Sequence, residues 1–379
     1  MSDGTIVWFA GIGWDQIIGT DKRIVTHLAK NRSIVWIDPP ASVGRGRFLL
    51  GASPPERVAP GVIRVRVTVL PGVTRWGIRR ITAVILEAAA ARILSRLDRP
   101  TVVVAFPLAR FPKGETAIRL LFATDDWLEG AHLMGFSPAV VRRTLMSNLS
   151  RAHGIAAVTP ALLDQLVVAG EVVRDGAGNA PARVIANGAP EPSSSPVRRT
   201  PVAGLVGQIN ERLDLSLLEE VVERGVPLRI IGPRTDRDRD FGNRLDRLLS
   251  APRVEWLGAV PAGEIPDHLG RLGVGLTPYA DTPFNRASFP LKTLEYLAAG
   301  LRAVSSDLPA SRWIDSPHVI VRQRPDEFAS AVVAELALPT DASRDEQCRQ
   351  VARSHSWEHR ADDLLELIAV VRTVANTAG

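Results

Sequence analysis

Short apolar, β-branched runs alternate along this chain with stretches whose apolar residues recur at three- and four-residue spacing. Val7–Ala10, Ile34–Ile37, Val62–Val69, Val102–Phe106, Leu120–Thr124 and Ile155–Thr159 predict strands. Thr20–Lys30, Gly77–Leu97 and Ala139–Arg151 predict helices between them. Such alternation signals a mostly parallel sheet with helices on both faces. The strand runs are apolar throughout, which fits strands buried on both sides.

The run Asn187–Pro201, NGAPEPSSSPVRRTP, interrupts the rhythm. Its prolines sustain neither a helix nor a central strand, and its serines form no core. Beyond it, strands are predicted at Val202–Val206, Leu228–Ile231, Val254–Leu257, Val274–Thr277, Ala303–Ser305 and Val319–Val321. Helices are predicted at Leu213–Arg224, Phe241–Leu249, Glu264–Leu272, Pro290–Ala299, Asp326–Leu336, Ser343–Ser354 and Trp357–Val374. The expectation is an α/β chain of two tandem Rossmann-like, doubly wound parallel-sheet domains. They would occupy residues 1–188 and 202–356, joined by a linker at 189–201, with a C-terminal helix at 357–379 packing back on the first. Two such domains facing one another would offer a cleft beyond the carboxyl ends of their strands, where open α/β sheets bind ligands.

Composition narrows the class. With 379 residues, 45% hydrophobic and 23% charged, each half can bury a core of its own. The single cysteine, Cys348, excludes an intrachain disulfide, so a reducing compartment is the default. The first residues lack a basic leader before a long apolar core, and ITAVILEAAAARIL is interrupted by Glu87 and Arg92. Neither an export signal nor a membrane-spanning helix is expected, and the location read from this is the cytoplasm.

The net charge of +5 is unevenly spread. Between Arg64 and Arg119, eleven basic residues face only Glu87, Asp98 and Glu115. Two readings stay open: a face for an anionic membrane or lipid-linked acceptor at the inner side of the cytoplasmic membrane, or an ordinary solvated Arg-rich surface. No helix-turn-helix, zinc-finger or ribonucleoprotein pattern accompanies the charge, so nucleic acid is not an expected partner.

The most informative segment is Asn285–Pro309, NRASFPLKTLEYLAAGLRAVSSDLP. Its centre predicts a helix that begins near Phe289 and Pro290 and stops at Gly300. Proline suits a first helical turn, and glycine suits the left-handed position after the last. Lys292 and Glu295, three apart, share one flank near the amino end, where free N–H groups and the helix dipole attract a diphosphate. Glu295 can accept two hydrogen bonds from vicinal hydroxyls such as those of a ribose. The plainer alternative is a Lys–Glu pair on the surface of an amphipathic helix.

This segment, with Val206–Asp214 (VGQINERLD), Arg229–Pro233 (RIIGP) and Arg253–Tyr279 (RVEWLGAVPAGEIPDHLGRLGVGLTPY), resembles the donor-binding half of glycosyltransferase family 4. Ala182–Ala189, ARVIANGA, resembles the V-x-x-N-G segment that precedes that half. The resemblance implies the GT-B fold, a nucleotide-diphosphate sugar as co-substrate, no further cofactor and no metal. It also implies transfer with retention to a glycan, lipid-linked or small-molecule acceptor. Glu295 would then hold the ribose hydroxyls, and main-chain groups from Ser288 and Phe289 through Pro290 to Leu291, with Lys292, would face the diphosphate or donor sugar. Gly207, beside Gln208, would admit phosphate to the backbone, Arg212 would supply charge to the leaving diphosphate, and Gly258 to Val260 would border the base.

Two positions depart from the family pattern. Many relatives carry two glutamates separated by seven residues, and here the first is Ala287. The usual basic pair after the strand-glycine turn is Gln208, with Arg212 only near the second site. Two alternatives accompany the transferase reading: a non-hydrolysing nucleotide-sugar epimerase, and a non-catalytic sugar-nucleotide-binding protein of envelope or polysaccharide assembly.

The amino-terminal half is less diagnostic. Gly11–Gly19, GIGWDQIIG, places Gln16 where G-x-G-x-x-G needs its third glycine, so a nicotinamide-dependent dehydrogenase is poorly supported. Trp14 and Asp15 on this loop, and Trp127, are candidate acceptor contacts. Asp125 and Asp126 follow another strand and are candidate catalytic carboxylates, with helix capping as the alternative. They do not form the D-x-D of metal-dependent transferases, and no His/Cys/Asp cluster has metal-ligand spacing.

Overall fold

A computed structural model describes the chain except residues 1–3, 17–18, 43–49, 72–75, 114–116, 175–179, 193–198 and 378–379. The middle of the proline- and serine-rich run, Ile17 and Ile18 of the first βα loop, Arg75 and Glu115 lie outside the described residues. The chain divides into two compact units, Met1–Ala186 with Arg360–Gly379, and Asn187–His359.

Unit 1 runs β1 (Ile6–Phe9), α1 (Thr20–Leu28), β2 (Ile34–Ile37), β3 (Ala41–Ser42), β4 (Gly51–Ala52), β5 (Glu56–Ala59), β6 (Val62–Val65) and β7 (Val67–Val69). It continues with α2 (Trp76–Leu94), β8 (Thr101–Val104), β9 (Ile118–Ala123), α3 (Pro138–Leu149), β10 (Gly154–Ala157), α4 (Pro160–Arg174) and β11 (Ala182–Val184). Its main sheet has the order β11-β10-β9-β8-β1-β2-β6-β5, parallel except for the β5–β6 pair at one edge. Every side chain of β1, β8 and β10 is buried, as their apolar composition requires.

The single strand predicted over Val62–Val69 is two. The chain changes sheets at Arg66, whose N–H donates to Ser53 Oγ at 3.1 Å and whose exposed guanidinium pairs with Glu56 at 2.8 Å. β6 joins the main sheet, while β7 joins β3 and β4 in a small second one.

Unit 2 runs β12 (Ala203–Val206), α5 (Leu215–Glu223), β13 (Leu228–Ile231), α6 (Arg239–Leu249), β14 (Val254–Trp256), α7 (Ile265–Leu269), β15 (Val274–Thr277), α8 (Pro283–Ala287) and α9 (Leu291–Ala298). After them come β16 (Ala303–Ser305), α10 (Pro309–Trp313), β17 (Val319–Val321), α11 (Pro325–Ala337), α12 (Ala342–Ser354) and α13 (Trp357–Thr377). From Arg360 onward α13 belongs to unit 1, where Val371 lies against Gly154 and Arg183 pairs with Asp363 at 2.8 Å and Glu366 at 2.7 Å.

The sheet of unit 2 is parallel throughout, in the order β14-β13-β12-β15-β16-β17. In order of appearance this is 3-2-1-4-5-6, the doubly wound arrangement, with direction reversing between β12 and β15. One face is filled by Leu217, Leu218 and Val221 of α5 with Phe328 and Val332 of α11, the other by Leu269, Leu272, Tyr296 and Leu301. Among the described residues, no helix is long and apolar enough to cross a membrane.

Candidate functional site

A doubly wound sheet leaves a crevice where its winding reverses, so the carboxyl ends of β12 and β15 are the first place to look in unit 2. β12 and β15 pair only through Ala203–Val274 and Gly204–Gly275 before they diverge. The gap is bridged by a side chain. Tyr296 Oη accepts from Val206 N–H at 2.9 Å and donates to Leu276 O at 3.1 Å, and its ring lies on Gly275, where a Cβ would be 2.4 Å away. Burial pushes the Tyr296 phenol above its ordinary range, so it remains a neutral donor.

The loops after β12, β13 and β14 lie side by side. Gly207 N–H donates to Ile231 O at 2.9 Å, and Gly232 N–H to Gly258 O at 2.7 Å. A Cβ at Gly232 would stand 1.8 Å from Gly207 O, and its φ of +145° also excludes ordinary side chains. Backbone therefore lines this edge of the sheet. Gly258 opens on free space, Gln208 is exposed, and Val260 packs partly on the core. Trp256, which sequence reasoning passed over, donates from Nε1 to Gly232 O at 3.0 Å while 41% of the residue stays exposed.

Helix α9 starts after Pro290 and ends at Gly300, φ +71°. The N–H groups of Leu291 and Lys292 precede any intrahelical acceptor, whereas Thr293 N–H already bonds to Pro290 O at 3.1 Å. Ser288 is a correction to the expected donor set: its N–H bonds back to Phe284 O at 3.0 Å and Asn285 O at 3.3 Å, closing α8. Phe289 is buried with its ring edge-on to Trp313 at 5.5 Å. The stem of Lys292 lies over Gly207, where a Cβ would be 3.6 Å from Lys292 Cε. Lys292 Nζ donates to Glu295 Oε2 at 2.6 Å. The pair of the plainer reading is thus formed, but Glu295 has only 9% of its side chain exposed, which is not how a solvated surface pair sits.

Arg212 is held by residues far away in sequence. Its Nε donates to Asn285 Oδ1 at 3.0 Å, and Asn285 Nδ2 returns hydrogen bonds to Arg212 O at 2.9 Å and Ala280 O at 2.8 Å. The guanidinium rests against the rings of Tyr279, at 5.2 Å, and Phe284, at 4.8 Å. Among the described residues it has no carboxylate partner. A fixed cation left uncompensated at a sheet's carboxyl edge is suited to an anionic ligand.

In unit 1 the winding reverses between β1 and β8. There Gly11 N–H donates to Asp21 Oδ2 at 2.6 Å. Burial lifts the Asp21 carboxyl to about 7 and the nearby charge of Asp125 pushes the same way, against the Gly11 N–H. Asp125 itself is half-buried.

Three expectations for this unit need correction. Trp14 offers no open face: it is 8% exposed, edge-on to Trp36 at 5.1 Å, covered by Lys22 at 4.6 Å, and its N–H bonds to Asp38 at 3.0 Å. Trp127 is also buried. Asp126 is a cap, buried and accepting from the N–H groups of Leu128 and Glu129, both at 3.1 Å. Asp15 does remain exposed, and Arg64 donates to it at 2.6 Å while also holding the buried Asp38.

Two tandem doubly wound units with mostly parallel sheets are the architecture of the GT-B fold, which solved neighbours of this chain share. Residues 200–337, within unit 2, match the family model described as glycosyl transferases group 1. The chain is 31% identical over 175 residues to TuaH of Bacillus subtilis (strain 168), provisionally named a teichuronic acid biosynthesis glycosyltransferase. That match spans 45% of this chain and 43% of the relative, less than half of either. Among solved structures, trehalose-6-phosphate from E. coli bound with UDP-2-fluoro glucose aligns with a TM-score of 0.71 at 12% identity over 96% of this chain and 98% of that one. Sucrose-phosphate synthase from Thermosynechococcus elongatus aligns with a TM-score of 0.71 at 14% identity over 98% of this chain and 100% of that one. At such identities the likeness is one of fold.

Proposed function

We propose that the protein is a cytoplasmic glycosyltransferase that binds a nucleotide-diphosphate sugar at the carboxyl edge of the unit 2 sheet. It passes the sugar, with retention and without a metal, to a glycan, lipid-linked or small-molecule acceptor. The observation that carries this reading is Arg212, fixed by Asn285 and two aromatic rings yet uncompensated by a carboxylate among the described residues. As the bond from the anomeric carbon to the diphosphate breaks, its electrons go to the diphosphate oxygen. Arg212 and the open first turn of α9 stabilise that charge. The acceptor hydroxyl forms the new bond on the same face, and its proton goes to the departing diphosphate. Glu295 takes the ribose hydroxyls once a nucleotide competes for it with Lys292.

The names of the relatives support the substrate class: one is named for teichuronic acid biosynthesis, and one structure is bound with UDP-2-fluoro glucose. The test is incubation of the full chain, with chelator present, against a panel of nucleotide-diphosphate sugars and glycan or lipid-linked acceptors. Release of nucleoside diphosphate that depends on acceptor, with the donor's anomeric configuration in the product, is expected. Turnover to an epimer without acceptor, or activity abolished by chelation, would contradict it.

A further inference from the structure

We propose that helix α2 seats unit 1 on an anionic lipid surface. A surface helix normally turns its polar side outward. In α2 the outward side is apolar: Ile81 and Val84 are 47% and 65% exposed, and Ala88 and Ala91 continue the same exposed line. At positions i, i+3, i+7 and i+10 these four form one stripe about 15 Å long. The opposite side, with Thr82 and Ala89 buried, packs on β4 and β7. Within the length of the stripe, Glu87 is the single charged residue.

Charge gathers at the end of the stripe. Arg92 and Arg96 are exposed there, and between Trp76 and Arg99 the chain carries five arginines against Glu87 and Asp98. An apolar strip flanked by arginines is the pattern of a helix lying in a membrane interface, with methyl groups at the acyl boundary and guanidinium groups among the phosphates. A protein partner is the poorer occupant. Protein interface cores favour aromatic anchors set in pockets, and this strip consists of exposed Ile, Val and Ala with no aromatic residue among them. Docking of this kind does not depend on the transferase reading, and its test reads no turnover.

The experiment is flotation of the full chain with vesicles of phosphatidylcholine alone or mixed with phosphatidylglycerol. Wild type is expected to float with the mixed vesicles and to be released by salt. The doubly substituted Ile81→Ser/Val84→Ser chain should lose roughly tenfold in vesicle affinity. The Arg92→Gln/Arg96→Gln chain should lose about as much and show a weaker salt dependence. All four sites are exposed, so unchanged circular dichroism is expected and separates lost docking from lost folding. Absence of flotation, or flotation that neither pair of substitutions reduces, overturns the proposal. So does a wild-type dimer that the Ile81→Ser/Val84→Ser chain fails to form, because a second copy would then be what covers the stripe.

Discussion

The Tyr296 hydroxyl stands 2.9 Å from the Val206 amide nitrogen, so a side chain of α9 closes the point at which the sheet of unit 2 changes direction. The same oxygen reaches Leu276 O on β15, and the ring needs Gly275 beneath it. The position of the α9 tip relative to Gly207 is therefore set by a bond into the sheet and not by helix packing alone. Tyr296→Phe keeps the ring and strands one buried N–H and one buried carbonyl. It should cost about 1–3 kcal/mol in urea unfolding and also weaken nucleoside diphosphate binding. A variant that loses stability but keeps full affinity would show that the wedge does not position the site.

Arg212→Ala should lower kcat by roughly 10²- to 10³-fold, the usual effect of deleting one preorganised donor to a developing negative charge. Asn285→Ala should act in the same direction but less, since Asn285 orients Arg212 and does not itself reach the ligand in this account. Arg212→Lys should recover little, because an ammonium cannot both keep the Asn285 bond and present a second face. Steady-state kinetics on the three variants checks this order.

The Lys292–Glu295 pair separates a ligand site from a structural ion pair. If Glu295 takes ribose hydroxyls, Glu295→Ala should lose about tenfold or more in nucleoside diphosphate affinity, the worth of a charged hydrogen bond. Replacing both residues by Met should not restore it. A purely structural pair gives the opposite pattern, in which the double Met variant keeps affinity and stability moves little. Calorimetric titration of the single and double variants distinguishes the two.

Asp21 makes unfolding pH-dependent in a defined direction. Its folded carboxyl sits near 7 against an ordinary 3.8, so the native state holds a proton that the unfolded chain has already released. The contribution of this site is complete below about pH 4 and is lost as pH rises through 7, by about 4 kcal/mol if the whole shift is realised. Asp21→Asn can still accept from Gly11 N–H and cannot ionise. Relative to wild type, it should gain stability steadily from about pH 4 to 7 and level off above, read from unfolding midpoints.

The strand–helix rhythm and the restart after Asn187–Pro201 were legible because strands buried on both faces are apolar without interruption. The break at Arg66 was not, since a change of sheet leaves no mark on a run that remains β-branched. At the site, the α9 boundaries followed from Pro290 and Gly300, which carry backbone constraints of their own. Asn285 escaped notice because its role arises only when folding brings it to Arg212, 73 positions away. Trp14 and Trp127 misled for a related reason: a tryptophan on a loop reads as a platform until its packing partners are known. The pair Asp125–Asp126 divided, with Asp126 capping the next turn and Asp125 left half-buried.

In the proposed function, Gly207, Arg212 and the start of α9 form an anion-binding edge on unit 2. Isothermal titration of the full chain with a panel of nucleoside diphosphates is the decisive measurement. One member of the panel should bind in chelator-treated buffer, and Arg212→Ala should weaken that binding at least tenfold while keeping the wild-type circular dichroism spectrum. Binding by no member, or equal affinity in wild type and Arg212→Ala, would contradict the account.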